Sequence, residues 1–113
     1  MADNRKYYYL KLKENFFDSD SIVLLEDMKD GILYSNILLK LYLKSLKNGG
    51  RLQLDEHIPY TAQMIATLTR HQIGTVERAL AIFQQLGLVE QLDCGLLYMT
   101  DIELMIGQSS TCL

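Results

Sequence analysis

A mainly helical α+β fold is what the sequence predicts, and three observations predict it. Apolar residues from Ile32 to Lys47 fall at the three-to-four spacing of an amphipathic helix, at Leu33, Ile37, Leu38, Leu41, Tyr42 and Leu46. After Pro59 two further helical patterns stand either side of the turn Thr69-Arg70-His71-Gln72-Ile73-Gly74. The second pattern ends at Gly87 and passes directly into two β-prone runs around Asp93-Cys94-Gly95, the form of a hairpin. Helix, short strand, helix, turn, helix and hairpin is the order of a winged helix-turn-helix, here with an extra N-terminal strand and helix. Residues 1–107 are expected to form this one domain, and residues 108–113 a flexible C-terminal tail.

Each element has its own reason. Lys6 to Lys13 is rich in tyrosine and alternates apolar with basic residues from Tyr9 onward, which suits an extended segment or edge strand. Asp18-Ser19-Asp20-Ser21 offers N-caps for a short helix from Ile22 to Met28 that ends near Gly31. In the long helix, Lys40, Lys44 and Lys47 share a solvated face, while Leu39 and Leu43 add a second apolar edge and so imply more than one neighbour. Asn48-Gly49-Gly50 ends that helix, because glycine tolerates the left-handed conformation found at helix C-termini. Arg51 to Leu54 alternates as a short strand, and Pro59 then breaks the chain. Thr61 caps a helix carrying Met64, Ile65 and Leu68. The next helix starts at Thr75 and buries Val76, Ala79, Leu80, Phe83 and Leu86.

A chain of 113 residues has room for one modest core, which excludes a multidomain enzyme. Its 49% hydrophobic and 22% charged residues are those of an ordinary globular domain. Two cysteines, Cys94 and Cys112, form no framework, and the second sits one residue from the C-terminus. Reduced thiols, a cytoplasmic location and no membrane span are therefore expected. His57 and His71 show no zinc-ligand spacing with either cysteine, and neither a phosphate-binding GxxxxGK[ST] loop nor a GxSxG elbow is present. The expectation is a binding module with no catalytic residues, no cofactor and no metal.

Net charge is −3, so DNA binding does not follow from bulk charge. Residues 1–56 hold nine Lys or Arg and nine Asp or Glu, whereas residues 57–113 hold only Arg70 and Arg78 against five acidic residues. A helix from Thr75 entering a groove would bring Gln72, Thr75 and Arg78 to base edges, chemistry suited to adenine, a thymine methyl and guanine respectively. Arg70 and His71 would then favour phosphate, with Lys40, Lys44, Lys47 and Arg51 flanking the duplex. So few cations imply weak, salt-sensitive binding by a monomer, which oligomerisation would strengthen. Tyr7, Tyr8 and Tyr9 suit an interface in a homodimer or larger assembly, since tyrosine buries a large area with a polar tip. The turn Asp93-Cys94-Gly95 carries no cation and reads as a plain wing tip. An acidic second half also fits a different class, a winged-helix protein–protein scaffold, and the same fold serves transcriptional regulators.

Specific stretches carry a resemblance. YYYLKLKENFFDSDSI at Tyr7 to Ile22, YSNILLKLYLKSLKNGGRL at Tyr34 to Leu52, IPYTAQMIATLTRHQIGTVERALAIFQQLGLVE at Ile58 to Glu90 and LYMTDIELMIGQSS at Leu97 to Ser110 resemble the N-terminal domain of the phage replisome organiser family. This family is related to DnaD-like replication initiation proteins. The resemblance implies a phage or prophage initiator whose N-terminal winged helix binds or organises double-stranded DNA at an origin. It also implies replication proteins as partners through a further C-terminal region that this sequence lacks.

Overall fold

The structure, a computed structural model, describes residues 6–110. The described residues are α+β, with four α-helices and three two-stranded antiparallel sheets among them. β1 (Lys6–Leu10) is followed by α1 (Asp20–Glu26) and α2 (Gly31–Ser45), then by β2 (Gln53–Asp55) and β3 (Ile58–Pro59). α3 (Ala62–Thr69), α4 (Ile73–Gln85), the hairpin β4 (Val89–Gln91) and β5 (Leu97–Met99), and β6 (Ile106–Ser110) complete the order.

α2 is the central element. Tyr34, Ile37, Leu38, Leu41 and Tyr42 are buried on it, against α1 on one side and α3 and α4 on the other. Its phase is the one the sequence predicts from Ile37 onward, but Leu33, expected on the inward stripe, is exposed and Tyr34 is buried instead. Gly31, expected to end α1, instead begins α2: α1 stops at Glu26 and the Gly31 N–H closes a turn on the Met28 carbonyl at 2.9 Å. Glycine is required there by space, because a Cβ would run into the backbone of Glu26. At the other end the Gly50 N–H reaches the Ser45 carbonyl at 2.9 Å, with Gly49 left-handed at φ 62°. This arrangement satisfies carbonyls that the helix end would otherwise leave unpaired.

Arg51 to Leu54 was expected as one strand, but the segment divides. Residues 50–52 pair with β5 through Leu52 N–H to the Leu97 carbonyl at 2.9 Å and Met99 N–H to the Gly50 carbonyl at 2.8 Å. Gln53–Asp55 then turns away to pair with Ile58–Pro59, so Pro59 sits in a short strand rather than a break. The hairpin is as expected, with Val89 opposite Met99 and Gln91 opposite Leu97.

Thr61 caps α3: its hydroxyl accepts from the Met64 N–H at 3.1 Å, and the Thr61 N–H in turn meets the Met64 sulfur. α4 starts at Ile73, two residues before the expected Thr75, because Gln72 takes the extended N-cap conformation and Gly74 is accommodated in the first turn. That shortens the connection to Arg70, His71 and Gln72. Arg70 makes the reversal in the left-handed region at φ 62°, and among the described residues it is the one non-glycine residue there.

The C-terminus also departs from expectation. Residues 108–110, expected in a flexible tail, continue β6, which pairs antiparallel with β1 from Leu10↔Ile106 to Lys6↔Ser110. Buried Gly107 lies opposite Tyr9, whose ring occupies the space a side chain there would need. Residues 111–113, Cys112 included, lie outside the described residues.

Candidate nucleic-acid interface

The turn between α3 and α4 rests on the polar side of α2. Asn36, Lys40, Lys44 and Lys47 follow one another at helical spacing. Two of the four are committed to the fold. Lys40 Nζ donates to the Thr69 carbonyl at 2.7 Å, placing a cation on the negative end of α3 and satisfying one of its last carbonyls. Asn36 Oδ1 accepts from the His71 ring at 2.8 Å, which assigns the proton to Nε2 in the neutral imidazole.

His71 was expected as a phosphate-favouring group, and its surroundings work against that charge. Desolvation first, and the neighbouring Lys40 ammonium second, lower its pKa below the ordinary 6.5. The folded state therefore resists a proton that the unfolded chain accepts. Stability is expected to be fully present above pH 6.5 and to fall as pH drops through that value, because the unfolded state then binds more protons. Urea midpoints at pH 7.5 and 5.5 measure this; the His71→Gln variant should show a smaller loss between the two than the natural chain, and an equal loss would refute the assignment.

Thr75, expected at base edges, is 7% exposed. With α4 beginning at Ile73, position 75 falls on the inward face with Val76, Ala79, Leu80 and Phe83, so it belongs to the packing of the helix. Arg78 is exposed, yet its guanidinium stands 3.7 Å from the Asp30 carboxylate in the α1–α2 connection. A hydrogen bond with the Tyr34 hydroxyl, and then the nearby Asp30 charge, hold its pKa above the ordinary value. The pair is solvated and weak, so Arg78 is available to a stronger anion at the cost of exposing Asp30.

Besides Arg78, the exposed members of the expected set are Arg70, Gln72, Lys44, Lys47 and Arg51. Arg70 and Gln72 flank the start of α4, and Arg51 pairs by its backbone with Tyr98, beside the hairpin. The outer face of α4 carries Ile73, Glu77, Arg78, Ala81, Gln84 and Gln85, a surface of amides and small apolar groups with one carboxylate and one cation. The hairpin tip is an exposed turn closed by Gly95 N–H to the Leu92 carbonyl at 2.8 Å. Tyr7 and Tyr9 are about half exposed, whereas Tyr8 packs on the core.

Sequence reasoning missed Asn36 and Asp30. The signal for Asn36 was its place one turn before Lys40 on the same face; nothing local pointed from Asp30 to Arg78, since 48 positions separate them. A cavity of about 440 Å³ lies elsewhere, lined by Phe16, Ile22, Tyr42, Leu88 and Met105 among others, and contains none of the expected DNA-contact residues. Burial, and then the charge of Asp101, push the Tyr42 phenol there up to about 12, so it stays protonated. Among the described residues no group of three or more His, Cys, Asp or Glu is placed to hold a metal ion, and no helix is long and apolar enough to cross a membrane.

No curated protein and no solved structure matches the chain. The model of the N-terminal phage replisome organiser family matches residues 9–112, which takes in all four helices, the hairpin and most of the β1–β6 ribbon. A match over nearly the whole sequence means that the chain belongs to the N-terminal phage replisome organiser family.

Proposed function

We propose that this chain is the DNA-binding and organising domain of a phage or prophage replication initiator, a winged helix acting in origin recognition and primosome assembly in the bacterial cytoplasm. Family membership supports the replication role. The winged-helix reading is supported by the hydrogen bonds from residues 50–52 to β5, which set a third extended segment beside the β4–β5 hairpin. In that architecture α4 is the reading helix and β4–β5 the wing. The domain acts by binding and has no chemistry of its own.

The observation that carries the DNA reading is Arg70. An exposed arginine holds the left-handed position at the α3–α4 turn, φ 62°, where glycine would be free of strain. Conformational cost at such a position persists when the side chain is used. Arg70 and Gln72 then approach the duplex at the start of α4, with Arg51, Lys44 and Lys47 contributing phosphate attraction. Lys40, His71 and Thr75 hold the turn in place from beneath.

Arg70→Gly tests this by separating fold from function. It is expected to keep or raise stability by up to about 1 kcal/mol through relief of backbone strain. Over the same range it weakens duplex binding and lowers the slope of log affinity against log salt by roughly one contact's worth, about 0.9. Fluorescence anisotropy with duplex DNA at several salt concentrations gives both readings. If the natural chain shows no affinity even at low ionic strength, the DNA reading fails. The protein–protein scaffold, favoured by Glu77 and by the engagement of Arg78 with Asp30, then takes its place.

A further inference from the structure

With the core complete, α2 retains a second apolar seam. Ile32 is 70% exposed and Leu43 54%, with half-buried Leu39 between them. Ile32, Asn36, Leu39 and Leu43 are separated by four, three and four residues, which keeps them in one line along the helix. This is the spacing by which one helix receives another. Scattered exposed leucines need no explanation, but a continuous line along the 15-residue central helix does.

The ends of that line carry opposite charge. Glu26, Asp27 and Asp30, with the single cation Lys29 among them, lie just before α2, and Lys44 and Lys47 lie at its far end. A second α2 running antiparallel sets Ile32 opposite Leu43 of the other copy and Asn36 opposite Leu39. In that register Lys44 faces Gly31, the first residue of α2, and Lys47 faces Met28 in the acidic α1–α2 connection, of the other copy. A parallel arrangement would oppose lysine to lysine and aspartate to aspartate. The antiparallel pairing is self-complementary, so a twofold axis repeats each favourable contact.

We propose that α2 pairs antiparallel with α2 of a second copy of this chain, through Ile32, Leu39 and Leu43, with Lys44 and Lys47 set against Asp27 and Asp30 of the other copy. This deepens the oligomeric part of the function proposed above by naming its surface. β1, with the exposed Tyr7 and Tyr9, packs beside α2 and the short turn that ends it.

Sedimentation velocity of the full chain over a concentration series is the test. The natural chain is expected to dimerise, and Ile32→Glu with Leu43→Glu to weaken self-association by about tenfold or more, a carboxylate pair being unpaired in an apolar contact. Both positions are exposed, so the fold survives, as circular dichroism verifies. Lys47→Glu and Asp27→Lys should each weaken the dimer, and the two together in one chain should restore it. A natural chain that stays monomeric overturns the proposal, as does a charge reversal without restoration. A dimer indifferent to the Glu substitutions overturns this surface while leaving oligomerisation standing. Loss of DNA binding at low salt in the natural chain, with the dimer intact, would instead defeat only the DNA reading.

Discussion

Gly50→Ala is expected to destabilise the domain by about 2–5 kcal/mol, combining backbone strain at a positive φ with overpacking. Gly50 sits at φ 99°, outside the region open to L-residues. A Cβ there would also collide with the Ile102 side chain and stand 2.9 Å from Tyr98 Cε1. The position cannot shift freely, because its N–H is bonded to Ser45 at the end of α2 and its carbonyl accepts from Met99 on β5. One residue thus ties the central helix to the hairpin. Gly49 supplies the control. It too has a positive φ, 62°, but nothing lies within 4 Å of its would-be Cβ. Gly49→Ala should therefore cost only about 1 kcal/mol, the strain alone. Urea denaturation of the two variants checks the difference; equal losses would show that Ile102 and Tyr98 yield without penalty.

Phe83→Ala is expected to cost about 3–5 kcal/mol, through lost burial and the cavity left behind. Phe83 is 0% exposed and lies on the inward face of α4 with Val76, Ala79 and Leu80. Its carbonyl also accepts from the Leu88 N–H at 2.8 Å, where the helix passes into β4. A hole at this point loosens both α4 and its link to the hairpin. For a domain of this size the loss is a large share of total stability. Phe83→Leu, which keeps most of the volume, should cost markedly less, and thermal melts of both variants measure the contrast. Neither variant touches an exposed cation. Any fall in DNA affinity should therefore match the unfolded fraction, whereas Arg70→Gly lowers affinity in a folded protein.

Local patterns were readable wherever the determinant was local. The inward stripe of α2, the Thr61 cap, the Gly87 exit and the hairpin follow from periodicity and capping, which act over a few residues. Errors arose where a distant partner decided. Polar Gly107 to Ser110 has little to mark it as a strand until β1, nearly a hundred residues earlier, supplies its hydrogen bonds. Gly31 looked like a helix stop and proved to be a start, because the close approach of Glu26 and not the backbone conformation demands glycine there. The interface residues divide in the same way. Arg70, Gln72, Lys44, Lys47 and Arg51 are exposed, as surface contact residues must be. Thr75 was misplaced because it was read as the first residue of α4; with α4 beginning at Ile73 it is an interior helical residue one turn before Ala79 and shares its inward face.

By itself the sequence determined the α+β class, the order of the helices and hairpin, and family membership, since each is written in spacing or in long matching stretches. Only the tertiary structure decided which cations remain open to a ligand. Lys40 is held by a carbonyl 29 positions away, His71 by Asn36 across 35 positions, and Arg78 by Asp30. Hydrogen bonds and ion pairs depend on distance in space and orientation, and a chain that folds back on itself makes those independent of distance along the sequence.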